Sequence, residues 1–410
     1  MKTFYYLIVL IFISNFATSC GNDNDSPIII DDEEPITQIT KAGIIKANET
    51  WTADKIYILG GKVVVDDGVT LTIEAGTIIK GAEGQGSLAS ALIVDQGGKL
   101  NAAGTAAKPI IFTSVLDNIQ IGQKAGTNLT IADNGLWGGV IVLGKAPISV
   151  SGDVATKQIE GIPATDSFGQ FGGNIPNDNS GVYKYLSIRH GGITIGADNE
   201  INGLTLGGVG SGTVVDHIEI VANQDDAIEI FGGTVNVTNI LTWAQGDDAL
   251  DFDEAWSGSI KNAMVIMGVG SDSAMELDGP AGSAATEAGY TIENVTLKGV
   301  GTSSKYADLR DGLIANMKNV LAYGFSADSK VKVNGTDSAT ELANGRITFS
   351  NWQVVLPVGV VVADLITGAN PADVTKFTSN VTAIASPSAA TVGATASVFS
   401  WTYAASKSAY

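Results

Sequence analysis

The chain has 410 residues, a formal net charge of −20 and a charged-residue share of only 16%. A protein this acidic is repelled by nucleic acid and by anionic lipid headgroups, so neither is an expected partner. Fifty glycines, abundant Thr, Val and Ile, and few aromatics fit many short strands and tight turns rather than a helical or disordered chain. A single cysteine, Cys20, excludes an internal disulfide.

Residues 1–19 read as a signal peptide. Met1-Lys2 is a short basic start, Phe4 to Phe16 is apolar, and Ala17-Thr18-Ser19-Cys20-Gly21 supplies small residues at a cleavage point. This resembles a bacterial lipobox, which implies a lipid on Cys20 and an outer-membrane, cell-surface location. Residues 20–40 are polar and acidic, with Asp23, Asp25, Asp31, Asp32, Glu33 and Glu34, and read as a tether. Residues 41–345 read as stacked β-strands. Val69-Thr70-Leu71-Thr72-Ile73 alternates as a half-buried strand does. Residues 115–135 and 149–181 break the rhythm and are expected to project as loops.

The strongest signal is a repeat. Asp225-Asp226-Ala227-Ile228-Glu229-Ile230 returns as Asp247-Asp248-Ala249-Leu250-Asp251-Phe252 and as Asp272-Ser273-Ala274-Met275-Glu276-Leu277. The spacing of about two dozen residues means stacked supersecondary units. Short, Gly-punctuated, β-rich units predict an all-β parallel β-helix. Asn239, Asn262, Asn294 and Asn319 open later strands in the same phase, as rungs of a side-chain ladder or as separate turn residues.

In such a stack Ile228, Ile230, Leu250 and Phe252 point inward. Glu229, Asp251 and Glu276 point outward in one column, with Asp253 and Asp278 in the next. Rungs stand about 4.8 Å apart. Like charges that close repel by about 1 kcal/mol in water and several-fold more when buried. Asp225, Glu229, Asp247, Asp251, Asp253, Glu276 and Asp278 are therefore candidate ligands of a hard cation, Ca²⁺. A plainer reading has Asp225, Asp247 and Asp272 bonding the backbone of their turns. Lyase chemistry would need a nearby base, for which Lys261 and Lys298 are the candidates. A second outward set, Leu241, Met264 and Leu321 beside Trp243, Ile266 and Tyr323, is apolar. It is either covered or, if open, a ligand-binding face in which Trp243 and Tyr323 suit sugar rings alongside Glu229, Asp251 and Glu276. From about Gly345 the repeat fades, and residues 346–410 read as a C-terminal cap.

Several phrases resemble a family of bacterial outer-membrane lipoproteins built as right-handed parallel β-helices. They are Leu136-Trp137-Gly138-Gly139, Leu204-Thr205-Leu206-Gly207-Gly208, and Asp225-Asp226-Ala227-Ile228-Glu229 with Phe231-Gly232-Gly233-Thr234. The resemblance brings no established activity with it. Gly246-Asp247-Asp248 resembles the paired aspartates of polygalacturonases, which would make Asp247, Asp248 and Asp251 catalytic carboxylates. The rest of that pattern is missing: no Asn-Thr-Asp precedes the pair and no Gly-His-Gly follows. The expected function is a surface-anchored, non-enzymatic binding or adhesion module for a glycan or other extracellular ligand, assisted by Ca²⁺. The alternatives are a polysaccharide hydrolase or lyase, and an accessory subunit of an outer-membrane transporter.

Overall fold

The computed structural model describes residues 37–196, 199–283 and 289–410. Cys20, the signal peptide and most of the tether lie outside the described residues. The chain is a right-handed parallel β-helix, and 25 of its strands join one continuous sheet. The first strand is Gln38–Ile45, so the last residues of the expected tether already belong to the first coil.

One coil explains the rest. In Val214–Val221 the stretch Val214 to Asp216 lies in a first ladder, paired with Asn236 to Thr238. His217 then turns a corner, and Ile218 to Val221 lie in a second ladder against Ile240 to Trp243. A turn follows, and Ile228–Phe231 lies in a third ladder against Leu250–Asp253. The three ladders enclose a core of stacked like residues, among them Ile218, Ile240, Ala263, Val295 and Val320, all fully buried. Stacked apolar side chains remove the same area from water at every rung, which is what makes the repeat stable.

The corner between the first two ladders needs a residue in the left-handed region. Asn239, Asn262, Asn294, Asn319 and Asn351 occupy it with φ between 54° and 64°. Asn tolerates that conformation better than other side-chain-bearing residues. The amides also form the ladder. Asn262 Nδ2 donates to Asn239 Oδ1 (2.7 Å), Asn319 Nδ2 to Asn294 Oδ1 (2.9 Å) and Asn351 Nδ2 to Asn319 Oδ1 (2.9 Å). Asn319→Ala should lose about 2–3 kcal/mol, from two hydrogen bonds plus a Cβ without a compensating amide in this conformation. Asn319→Gly should lose about half as much, since Gly accepts the angle freely. Equal losses in urea unfolding for the two variants would contradict this division.

Residues beyond 345 first continue the solenoid, with Leu365 and Phe377 buried in its core. Ile347–Ser350, Trp352–Val354 and Val381–Ala383 continue the first two ladders. The chain then reverses and runs back along the outside of the second ladder as a strap. Thr391 Oγ1 accepts from Gln353, Ala394 N donates to Thr296 Oγ1, and Thr395 N donates to Asn262 Oδ1. Phe399 packs on Leu241 and Met264, and Trp401 meets Tyr185 edge-on at 5.4 Å. The strap covers a flank of the solenoid, because the outward row of that ladder is apolar and needs burial.

Candidate functional site

The register brings the predicted carboxylates together. Along the outer face of the third ladder the order is Val64, Ile93, Ile141, Thr205, Glu229, Asp251, Glu276, Asp308 and Lys332. The column begins apolar, becomes acidic over four rungs and then reaches a lysine, which pairs with Thr367. Asp253 continues into Asp278, one residue past the paired Phe252 and Leu277, as alternation requires.

From Val64 to Glu229 this column is not open to solvent, while Asp251 and Glu276 are half-buried. The excursion between Val140–Leu143 and Gly181–Arg189 folds over it instead of projecting. Ile159, Ile162 and Phe171 bury themselves against Ile93, Ile141 and Phe231. A Cβ on Gly207 would stand 2.9 Å from the Phe171 ring, so glycine is what lets this roof lie so close. Asn202 Nδ2 donates to Glu229 Oε2 and reaches Glu160 Oε1 at 3.4 Å. Lys157 Nζ meets Glu254 Oε1 at 2.6 Å. The apolar residues of the excursion supply the reason for closure, and Glu229 is covered with them.

Burial and mutual repulsion push these acids upward. Loss of solvent, then the charges of Asp251 and its neighbours, holds Asp226 and Glu229 well above the usual carboxylate range. Asp251 is raised well above it by burial and by Asp248 and Asp253, while a hydrogen bond with Asp226 opposes the shift. Burial and neighbouring acids raise Asp225 to about 7 and Asp278 to about 9. Burial also raises Glu254 to about 7 against the pull of Lys157.

The seven candidate metal ligands divide. One oxygen from each of Asp226, Glu229 and Asp251 lies within 4.8 Å of the others. The same holds for Asp225, Asp226 and Asp247, and for Asp247, Asp248 and Asp272. Asp226 joins two of these groups and is not foreseen from the sequence, since strand alternation says nothing of a turn residue. Glu276 and Asp278 belong elsewhere, because Arg310 pairs with both, at 3.2 Å to Asp278 Oδ1. Asp253 Oδ1 accepts the Glu254 amide at 2.7 Å and joins no three-carboxylate group among the described residues. A hard cation with several oxygen ligands fits the Asp226, Glu229 and Asp251 set, with the Asn202 carboxamide alongside.

The turn aspartates also sort differently from the sequence expectation. Asp226 Oδ1 accepts Asp248 N (2.8 Å), and Asp248 Oδ1 accepts Ser273 N (2.5 Å). These two hold the stacked turns; Asp225 accepts the Asp226 amide within its own turn, as expected, whereas Asp247 and Asp272 are exposed, with Asp272 on Lys305 at 2.5 Å. Catalysis by Asp247, Asp248 and Asp251 finds little support in this geometry. Asp248 is buried and engaged with the backbone, Asp251 is half-buried beside Asp226, and only Asp247 is exposed. Lys261 lies in the first ladder and Lys298 donates to the Ala409 carbonyl under the strap, so neither is a base for these acids. The cations that do meet acids here are Lys157, Lys305, Arg310 and Lys332.

Trp243 and Tyr323 do not form an open platform beside the acidic column. They lie in the second ladder, in one row with Ile266 and Lys298. The strap covers this face, and Trp243 sits 6.1 Å from Tyr403.

Residues 43–406 match the pectate-lyase-like β-helix domain family. The chain belongs to that family. No curated protein and no solved structure matches it.

Proposed function

We propose that this pectate-lyase-like β-helix is a non-catalytic, polysaccharide-directed binding module. On this reading it is carried at the cell surface by a lipid on Cys20, and Ca²⁺ binds its acidic face. The observation that supports it is the Asp226, Glu229 and Asp251 group, with oxygens within 4.8 Å of one another, two of the three residues buried and Asp251 half-buried. Carboxyls in that setting are relieved by protons or by a cation, and extracellular calcium supplies the cation. The engagement of Asp248 with a backbone amide favours binding over bond cleavage, since a hydrolase needs both its carboxyls facing the scissile bond.

The test is a melting series in calcium and in chelator, together with a polysaccharide binding screen. Calcium at 100 times its Kd should add about 2.7 kcal/mol of stability, reversed by chelator. At least one polysaccharide should be retained without release of reducing ends or unsaturated products. Products that disappear in Asp248→Asn would make the protein an enzyme, and a calcium-independent melt would remove the ion.

A further inference from the structure

Three successive coils leave the second ladder through a residue in the left-handed region. These are His190, Ala222 and Ala244, with φ of 62°, 55° and 59°. Each donates its amide to the next coil, at the carbonyls of Val221, Trp243 and Ile266. The corner itself therefore asks for no imidazole, since alanine serves in the two coils that follow. The His190 ring serves the 115–135 segment instead. That segment does not project from the solenoid. It lies on the start of the second ladder, where Ile119 is fully buried against Ile56, Ile78 and Ile111. Lys80 Nζ donates to its Asp117 carbonyl (2.6 Å) and Arg189 to its Lys124 carbonyl (2.9 Å). His190 Nδ1 donates to its Asp133 carbonyl (2.6 Å). A carbonyl only accepts, so Nδ1 carries the proton of the neutral ring.

His190 is only 2% exposed. Facing it are Arg189 of its own coil, Asp117 and Asp133 of the segment, and Tyr403 of the strap. Behind them stand Lys80 and Glu219, the latter 3.8 Å from Arg189. With the ring neutral the buried charges balance, Lys80 and Arg189 against Asp117 and Glu219. Each nearby carboxylate is already engaged. Asp117 accepts from Thr113 and the Ile119 amide, Glu219 from Ser187 and two strap amides, and Asp133 from Thr130. A proton on His190 adds a third buried cation beside Arg189 with no acid of its own. Burial, and with it the Arg189 charge, holds the imidazole below its ordinary value against the pull of the Asp133 carbonyl. We propose that His190 is an acid-released latch: a proton on its ring frees the 115–135 segment from the second ladder while the coils stay folded, and uncovers Lys80 and Arg189. The closed form takes up that proton less readily than the open form, whose ring titrates near about 6.5. The latch is therefore fully shut above that pH. It loosens about tenfold for each pH unit below it, until the closed form itself titrates.

The experiment is hydrogen–deuterium exchange of the intact protein at pH 7.5 and pH 5.5, read by mass spectrometry. Labelling times are scaled to the chemical exchange rate at each pH. A local readout is needed, because the buried acids of the third ladder also move the overall melt. Protection of peptides spanning 115–135 should fall about tenfold at the lower pH, while residues 236–243 keep theirs. His190→Asn keeps a neutral donor and suits the left-handed corner, so its segment should stay protected at both pH values. His190→Ala copies the next two coils and should leave the segment equally loose at both. A tenfold loss that persists in His190→Asn would assign the titration to another group and overturn the latch. Unchanged protection in the parent, or a loss shared by residues 236–243, would overturn it as well.

Discussion

Glu219→Ala is expected to cost about 3–5 kcal/mol of folding stability. Glu219 is fully buried at the foot of the strap. Its carboxylate accepts Ser187 Oγ (2.5 Å), Tyr403 N (3.0 Å) and Ala404 N (2.8 Å), and lies 3.8 Å from the Arg189 guanidinium. Arg189 is itself buried, donates to Ser187 Oγ and the Lys124 carbonyl, and stacks at 4.6 Å on the Tyr403 ring. Removing the acid strands a buried cation and two amides at the start of the helix Tyr403–Ser406. Urea unfolding measures the loss, and limited proteolysis should cut the strap before the body. The double variant Glu219→Gln, Arg189→Met should lose less than Glu219→Ala alone, because no charge is left unpaired. A loss below about 1 kcal/mol for Glu219→Ala would mean that the strap is held by its apolar contacts alone.

The second large effect concerns pH and calcium together. In the unfolded chain the carboxyls titrate near about 4. In the folded protein burial holds Glu254 protonated up to about 7 and Asp278 up to about 9, and raises Asp226, Glu229 and Asp251 in the same direction. Between those limits the folded state binds more protons than the unfolded state, so stability falls as pH rises. The contribution is complete below about pH 4 and disappears as pH passes the folded values. Each group loses about 1.4 kcal/mol per pH unit in that window. In chelator, melting temperature should therefore drop steadily from pH 5 to pH 9. Asp251→Asn should flatten the drop and be more stable than the parent by about 1–3 kcal/mol at pH 8, since one buried repulsion is gone. Calcium should reverse the ranking, because the variant has lost a ligand. Melts that rise with pH in chelator, or equal calcium stabilisation of parent and variant, would contradict this account.

The division between what could be read and what could not follows from periodicity. Glu229, Asp251 and Glu276 are legible as one column because their phrases repeat, and the paired register is the one the phrases imply. The Asn corner is legible for the same reason. Arg310 is not, since it follows a rung whose phrase has diverged, Ala307-Asp308-Leu309. The roof is not legible either, because residues 144–180 carry no period and their partners lie far along the chain, as with Lys157 and Glu254. The strap poses the hardest problem: Tyr403 reaches back 184 residues to Glu219, and only the apolar character of Leu241 and Met264 hints that something must lie over them.

A bare solenoid is held by nearest-neighbour contacts, so it can fray from either tip one rung at a time. The strap changes that behaviour. By touching Gln353, Thr296, Asn262, Leu241 and Glu219 in turn, it ties coils far apart along the stack to a single segment. Losing the final coil then means peeling away a tie shared by the others, which converts a stepwise unzipping into a cooperative one.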